Sequence, residues 1–328
     1  MLKYTIRRLL LVIPLLLCVV IIVFSISYFM PGDPVLMQMP ANYTQEQYDA
    51  KAEQLGLDKP YAEQLWNYIV GIVTRFDLGK SYSGQNVSDY ISGRIWVTLK
   101  IGLLSCLVTI GISVPVGIIS ATKQYSVLDY TATTLSIILA SMPGFWLALM
   151  MVMLFALKLG WLPATGLNSW RGYIMPVLCN ATVPLASTTR QSRSSMLEVI
   201  RSDYIRTARA KGLPEHTVIL KHALRNALIP IITVAGIQFS HVIGGSVIVE
   251  SIFNIPGMGS ALVSAIGSRD YPCIVGITFI TAIFVSVINV VVDVVYAMVD
   301  PRIKAQIASG GKKKKKAAGK KTEEAKGA

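Results

Sequence analysis

The triplet Gly79-Lys80-Ser81 carries the residue types that hold a nucleotide phosphate: a glycine, a lysine and a hydroxyl. A phosphate loop needs a second glycine five residues before Gly79, so that successive amides wrap the anion. That position is Thr74, so Asp77–Ser81 is expected to be a turn without a nucleotide. His216, His222 and His241 have no metal-ligand spacing. No Ser/His/Asp or paired-carboxylate pattern is visible. Cys18, Cys106, Cys179 and Cys273 are spread widely and irregularly, as free thiols would be. The chain is expected to be no enzyme, to hold no metal and to carry no cofactor of its own.

Polar groups inside apolar runs are informative because hydrocarbon penalises them. Asp293 has Asn289 four residues before it and Tyr296 three after, one face of a helix. That face could line a pathway or hold helices together by hydrogen bonds; the second reading is favoured. Gly236, Ser240 and Gly244 repeat every four residues and permit close helix approach. Asn180 belongs to the same set of packing or pathway candidates. Glu250 is expected at a membrane interface.

The elements that position these groups follow from composition. The chain has 328 residues, 53% hydrophobic and 15% charged, with mean hydropathy +0.54, whereas soluble domains carry about a quarter charged residues. An all-α polytopic membrane protein is expected, with apolar segments at about 9–30, 97–120, 131–157, 173–190, 229–251 and 273–299. The first is read as an uncleaved span, longer than a secretory signal core. The fourth contains Pro176, Asn180, Pro184 and a Ser-Thr-Thr cluster, so it belongs inside the bundle rather than facing lipid. Pro115 and Pro143-Gly144 are expected to break the second and third. With Lys3, Arg7 and Arg8 inside, 22 of the 31 basic residues fall on the cytoplasmic side, as the positive-inside rule requires. Both termini are then cytoplasmic. Much of the net charge of +13 comes from a Lys-rich tail, 305–328, read as a disordered, solvated segment that could graze anionic lipid headgroups, and not as a nucleic-acid signal.

Residues 31–96 are then extracytoplasmic. Thr44 and Gln47 form a capping-box pattern for a helix reaching about Gly56. Pro60 suits the first turn of a second, amphipathic helix carrying Leu65, Ile69, Ile72 and Phe76 on one face.

The remaining signal is DYIRTARAKGLPEHTVILKHALRNALIP, residues 203–230, a basic segment between apolar runs. Asp203 suits a helix start, while Arg206, Arg209 and Lys211 suit its end. Gly212 is the natural stop, with Pro214 beyond it. A second helix is expected over 215–228, with Pro230 marking entry to the fifth span. The pattern fits a membrane-surface helix and a docking element for a cytoplasmic partner equally well.

These motifs taken together resemble the permease subunits of ABC importers for dipeptides and oligopeptides, the B-type partner of the pair. The matching pieces are RRLL at 7–10, PGDP at 31–34, DLGKS at 77–81, Arg94 with Thr98-Leu99, and DYIRTARAKGL at 203–213. HALRNALIP at 222–230, NIPGMG at 254–259, RDYP at 269–272, and Asn289, Asp293, Tyr296 with DPR at 300–302 complete them. The resemblance runs to about Lys304. It implies a type I importer fold of six transmembrane helices with a small helical extracytoplasmic insertion. Its parts would be 1–30, 31–96, 97–304 with a coupling loop at about 191–228, and the 305–328 tail.

In such a permease the coupling helix would be Asp203, Tyr204, Arg206, Thr207, Ala208, Arg209, Ala210, Lys211 and Gly212. It would insert into a groove on an ATPase. Arg206-Thr207-Ala208 takes the place of the family's Glu-Ala-Ala and differs at the first two positions, so the location carries over and the usual Glu salt bridge does not. Implied partners are a second permease, two ABC ATPases that hold ATP and Mg, and an extracytoplasmic peptide-binding protein. Its docking candidates here are Asp77, Gly79, Arg94, Arg269 and Asp270. The membrane would be a bacterial or archaeal cytoplasmic membrane. The alternatives are nickel or glutathione importers of the same family, or a stand-alone secondary transporter.

Overall fold

The computed structural model describes residues 2–299, and among them the regular structure is helical apart from one isolated bridge. The Lys-rich tail and Asp300-Pro301-Arg302 lie outside the described residues, as does the side chain of Tyr296.

Helix α1 (Leu2–Phe29) is followed by an insertion of two helices, α2 (Gln45–Leu55) and α3 (Tyr61–Arg75). Their boundaries follow the local chemistry. Thr44 accepts from the Gln47 N–H and Gln47 returns a bond to the Thr44 N–H, so the expected capping box is formed. Gly56, at φ +69°, ends α2 in the left-handed conformation, and Pro60 caps α3. The apolar side of α3 settles on the end of α1. Tyr61 lies 5.1 Å from Tyr28 and 5.6 Å from Phe29 between ring centroids, and its hydroxyl is 2.7 Å from Ser25 Oγ.

The bundle continues with α4 (Val87–Thr122), α5 (Val127–Ser141), α6 (Gly144–Met151) extended by a π-helical stretch to Lys158, and α7 (Ile174–Ile200). Then come α8 (Asp203–Ala210), the short turn α9 (Glu215–Thr217), a π-helical stretch Val218–Ala223 and α10 (Leu224–Gly245). Helices α11 (Val247–Ile252), α12 (Met258–Gly267) and α13 (Tyr271–Val299) complete the order. One end of the bundle carries α8; the far end carries the insertion and α12.

Several expectations change. Proline does not always break a helix: α4 runs unbroken through Pro115, and α10 through Pro230. One missing N–H removes a single hydrogen bond, and neighbouring helices make that loss tolerable. Pro143 does break its segment, leaving Val127–Ser141 and Gly144–Lys158 bent by 102°. Helix α4 begins at Val87, ahead of the expected apolar segment. Helix α7 runs on to Ile200, into the expected coupling loop, because no glycine or proline follows Pro184 before Gly212. Among the described residues, four helices are long and apolar enough to span a membrane, five if the bent pair counts as one. At 27 residues α7 is about 40 Å long, but it is not among the spans that pass on composition, as its polar residues led us to expect. Six spans is thus not a number that length and composition return from the described residues.

Helices α4 and α7 form the central pair. Gly117 lies against Ser192, and a Cβ there would overlap the Ser192 Cβ and reach 2.9 Å from the Thr189 carbonyl. Gly111, six residues earlier on α4, faces open space. Gly117→Ala is therefore expected to lower stability by about 1–3 kcal/mol through overpacking. Gly111→Ala should be neutral or stabilising by up to about 1 kcal/mol. Thermal unfolding of the two purified variants checks the contrast.

Candidate functional site

Helix α8 is amphipathic and seated. Ile205 and Ala208 are buried in a cluster with Ala121 of α4, Met196 of α7, and Val218, Ile219, Ala223 and Ala227. Asp203, Tyr204, Arg206, Thr207, Arg209, Ala210 and Lys211 are exposed, Arg206 with 76% of its side chain open. Ser202 takes an extended conformation and starts the helix. Gly212, at φ +73° with nothing near its Cβ position, ends it. Beyond the stop, Arg209 closes back on Glu215 through two hydrogen bonds of 3.1 and 2.6 Å. Tyr204 accepts a 2.9 Å bond from Asn226 of α10. The apolar face fixes α8 to the bundle and leaves a basic face outward.

Beside α8 lies a buried carboxylate that inspection of the sequence missed. Asp129, 2% exposed, accepts from Arg193 Nε at 2.6 Å and Nη2 at 2.8 Å. It also accepts from Ser120 Oγ and from the Tyr125 N–H at 3.0 Å. This brace joins the end of α4, the start of α5 and the α8-proximal part of α7. Arg201, the last residue before the α8 cap, bonds Gln124 at 3.1 Å and ties the α4–α5 loop to the α7–α8 junction. A signal was available: Ser126 and Asp129 form a Ser-x-x-Asp helix start, and Ser126 does accept from the Asp129 N–H.

At the far end, three sequence motifs meet. Asp270 of RDYP accepts from Ser81 Oγ, from the Tyr82 N–H at 3.2 Å and from the Cys273 N–H at 3.3 Å. Burial and the charge of Asp270 push the Tyr82 phenol above its ordinary range. The Arg269 guanidinium occupies the space that a Cβ on Gly32 of PGDP would need. Asp33 accepts from Tyr48 of α2 at 2.6 Å. Asp77 accepts from the Gly79 N–H at 2.8 Å, which makes DLGKS the expected turn, with Gly79 at φ +81°. Arg94 stacks 3.8 Å from the Tyr90 ring and donates to its carbonyl. Of the five docking candidates, Asp270 is buried and committed to contacts within the chain.

Glu250 has a larger structural part than its place near the end of the fifth apolar segment suggests. It is fully buried within the protein, at 0% exposure. Thr98 Oγ1 and Ser246 Oγ donate to its Oε1 at 2.7 and 2.8 Å. The N–H groups of Gly259 and Ser260 donate to its Oε2 at 2.7 and 3.1 Å. Glu250 thereby caps the start of α12, where the positive end of the helix dipole favours a carboxylate. A Cβ on Gly257 would overlap this carboxylate, and one on Gly259 would reach it. The glycines of NIPGMG are thus explained by close approach. The sequence signal was faint: an acid ahead of two closely spaced glycines, Gly257 and Gly259, that no turn demanded.

The packing candidates divide. Ser240 donates to Asn289 Oδ1 at 2.9 Å and joins α10 to α13. Asp293 pairs with Arg8 of α1 at 2.9 Å. These contacts are the helix-joining kind. Gly236 lies against Val292 as close approach requires, whereas Gly244 opens onto a cavity of about 210 Å³ bordered by Thr98, Val247, Met258 and Gly259. Asn180 of α7 has its buried Nδ2 without a hydrogen-bond partner. Among the described residues, no group of three or more His, Cys, Asp or Glu could hold a metal ion.

Comparison with known proteins then decides the family. Residues 113–305 match the model of the binding-protein-dependent transport system inner membrane component, and residues 1–101 match the N-terminal model of such membrane components. The chain belongs to this family. It is 40% identical over 316 residues to the oligopeptide transport system permease protein AppB of Bacillus subtilis (strain 168), covering 93% of this chain and 100% of that protein. It is 39% identical over 305 residues to the glutathione transport system permease protein GsiC of Escherichia coli (strain K12), covering 93% and 99%. The MetNI methionine ABC transporter, in an inward-facing conformation, shares the fold. Its TM-score is 0.55 at 20% identity, over 64% of this chain and 96% of that one. As a member of the binding-protein-dependent family, the chain is a membrane permease subunit of an ABC importer of the peptide class. ATPase activity in such importers belongs to separate subunits.

Proposed function

We propose that this permease imports di- and oligopeptides, forms half of the pathway with a second permease, and receives the ATPase stroke through α8. The observation that carries the reading is α8 itself, with its apolar face locked into the bundle and its polar face free. A rigid, seated helix can transmit a push, while a loop would absorb it. The α8 end and both termini are cytoplasmic in this reading, in keeping with the basic residues around α8. The far end, with residues 31–96, faces the peptide-binding protein. ATP binding brings two partner ATPases together, α8 moves with them, and the two permeases exchange inward and outward access; hydrolysis resets them.

Peptide specificity is supported by the likeness to AppB. The comparable likeness to GsiC supports glutathione as the alternative. Uptake by the reconstituted complex of labelled di- to pentapeptides, glutathione and Ni²⁺ discriminates. Peptide uptake unaffected by excess glutathione or Ni²⁺ is expected, and uptake confined to glutathione or Ni²⁺ would overturn the peptide assignment. Docking is tested separately. Arg206→Glu changes only an exposed side chain, so surface substitution rules predict a stability change within about 0.5 kcal/mol. Reduced co-purification of the ATPases with an unchanged unfolding temperature is expected.

A further inference from the structure

Helix α4 touches a buried carboxylate at two levels, one beside its α8 end and one eleven residues in from its start at Val87, and each accepts a hydrogen bond from a hydroxyl of α4. At the α8 end Ser120 donates to Asp129. At the far end Thr98 donates to Glu250 at 2.7 Å and accepts from the Met258 N–H at 2.8 Å. Between them α4 is unbroken, and Thr98 and Ser120 lie about 33 Å apart along its axis.

We propose that α4 is a strut that carries the movement of α8 to the α11–α12 corner, with Ser120 and Thr98 as the positioning residues that stop it slipping. This rests on the reading of α8 as the ATPase docking helix.

The near end of the strut is coupled twice. Ala121 packs in the same cluster as Ile205 and Ala208 of α8. Ser120 is held by the Asp129 carboxylate, which the Arg193 fork fixes to the last third of α7, the helix that leads into α8. The far end grips moving-part candidates rather than the membrane. Thr98 touches both the Glu250 cap and the first N–H of α12, and it borders the cavity beneath Gly244 and Gly259.

Hydroxyl–carboxylate bonds suit this task in a way apolar contacts do not. Apolar packing resists sliding through shape alone, since the hydrophobic effect has no direction of its own, whereas a hydrogen bond also fixes the position of one donor against one acceptor. A buried carboxylate that loses a donor is left under-solvated, at about 1–3 kcal/mol or more. Register between α4 and its two partners is therefore held stiffly, and displacement at one end must appear at the other.

The test reads both ends without needing to know the substrate. In the full transporter, an environment-sensitive fluorophore is attached at Leu220→Cys, beside α8, or at Ile266→Cys on α12; both positions are exposed. Cys18 and Cys106 are replaced by alanine, since Cys179 and Cys273 are buried. ATP with vanadate should change the emission of both reporters. In Ser120→Ala and in Thr98→Val the response at 220 should persist and the response at 266 should be lost. Thr98→Ser, which keeps the hydroxyl, should restore it. Ser105→Ala removes an equally buried α4 hydroxyl, one that bonds the Val177 carbonyl of α7. It should leave both responses intact, which a merely structural role for α4 hydroxyls would not allow. Undiminished response at 266 in both Ser120→Ala and Thr98→Val overturns the strut. Silence at 220 in the otherwise unmodified complex overturns the docking reading instead.

Discussion

Glu250→Asp is expected to destabilise the protein nearly as much as Glu250→Ala, while Glu250→Gln is largely tolerated. The order follows from reach and donor count rather than charge. Four donors converge on the carboxylate: two hydroxyls on one oxygen and two N–H groups of α12 on the other. Alanine removes every acceptor and leaves buried donors unpaired, each at about 1–3 kcal/mol, so a loss of about 3 kcal/mol or more is expected. Aspartate retracts the acceptors by one methylene. Gly257 and Gly259 exist to let the corner close on the longer side chain, and the corner cannot follow it inward. Glutamine keeps the length. Its oxygen can accept from the two N–H groups, and its amide can donate to the Ser246 hydroxyl and to the second lone pair of the Thr98 hydroxyl, whose first already accepts from the Met258 N–H. What glutamine loses is the negative charge at the start of α12, about 1 kcal/mol. Thermal unfolding of the detergent-purified complex gives the ranking. A glutamine variant as unstable as alanine would show that charge, not hydrogen bonding, holds the corner.

Local chemistry was readable in advance. The capping box at Thr44, the stop at Gly212, the turn at Asp77–Ser81 and the break at Pro143 all depend on residues within a few positions of each other. Prolines 115 and 230 misled because a proline's local cost is fixed while its tolerance is set by neighbouring helices, which no window of sequence contains. The end of α7 misled for the opposite reason: the amphipathic pattern continues across Arg201–Ser202 with no change in period, and only the extended Ser202 divides it.

The two carboxylate centres lay beyond local reading altogether. Arg193 is 64 positions from Asp129, and Thr98 is 152 from Glu250. Each acid taken alone resembles an ordinary residue at the end of an apolar run. What distinguishes them is convergence of donors from separate helices, a property of the fold. The motif-rich far end shows the same logic. PGDP, DLGKS and RDYP look like three surface loops in the sequence, and the structure joins them through Arg269, Asp270 and Ser81.

Ile205→Asp is expected to abolish ATPase recruitment and transport while the chain remains inserted in the membrane. Ile205 is fully buried against α4, α7 and the stem of α10. A carboxylate placed there must give up its hydration at a cost of several kcal/mol, or take up a proton and remain a buried polar group. The cheapest escape is for α8 to leave its seat. A helix of eight residues has little stability of its own, so once unseated it loses both position and shape. The apolar bundle, which does not depend on α8, keeps its place. Ile205→Val supplies the calibration: it removes one methylene, costs about 0.5–1.5 kcal/mol, and should leave recruitment intact. Arg206→Ala, one residue along and exposed, should leave the seat intact whatever it does to docking. Pull-down of the ATPases and peptide uptake are the two readouts, with membrane insertion followed by protease protection. If Ile205→Asp keeps both recruitment and uptake, the ATPases engage some other surface. If it keeps recruitment but loses uptake, α8 docks without its seat, and the buried cluster serves to transmit the stroke rather than to present the helix.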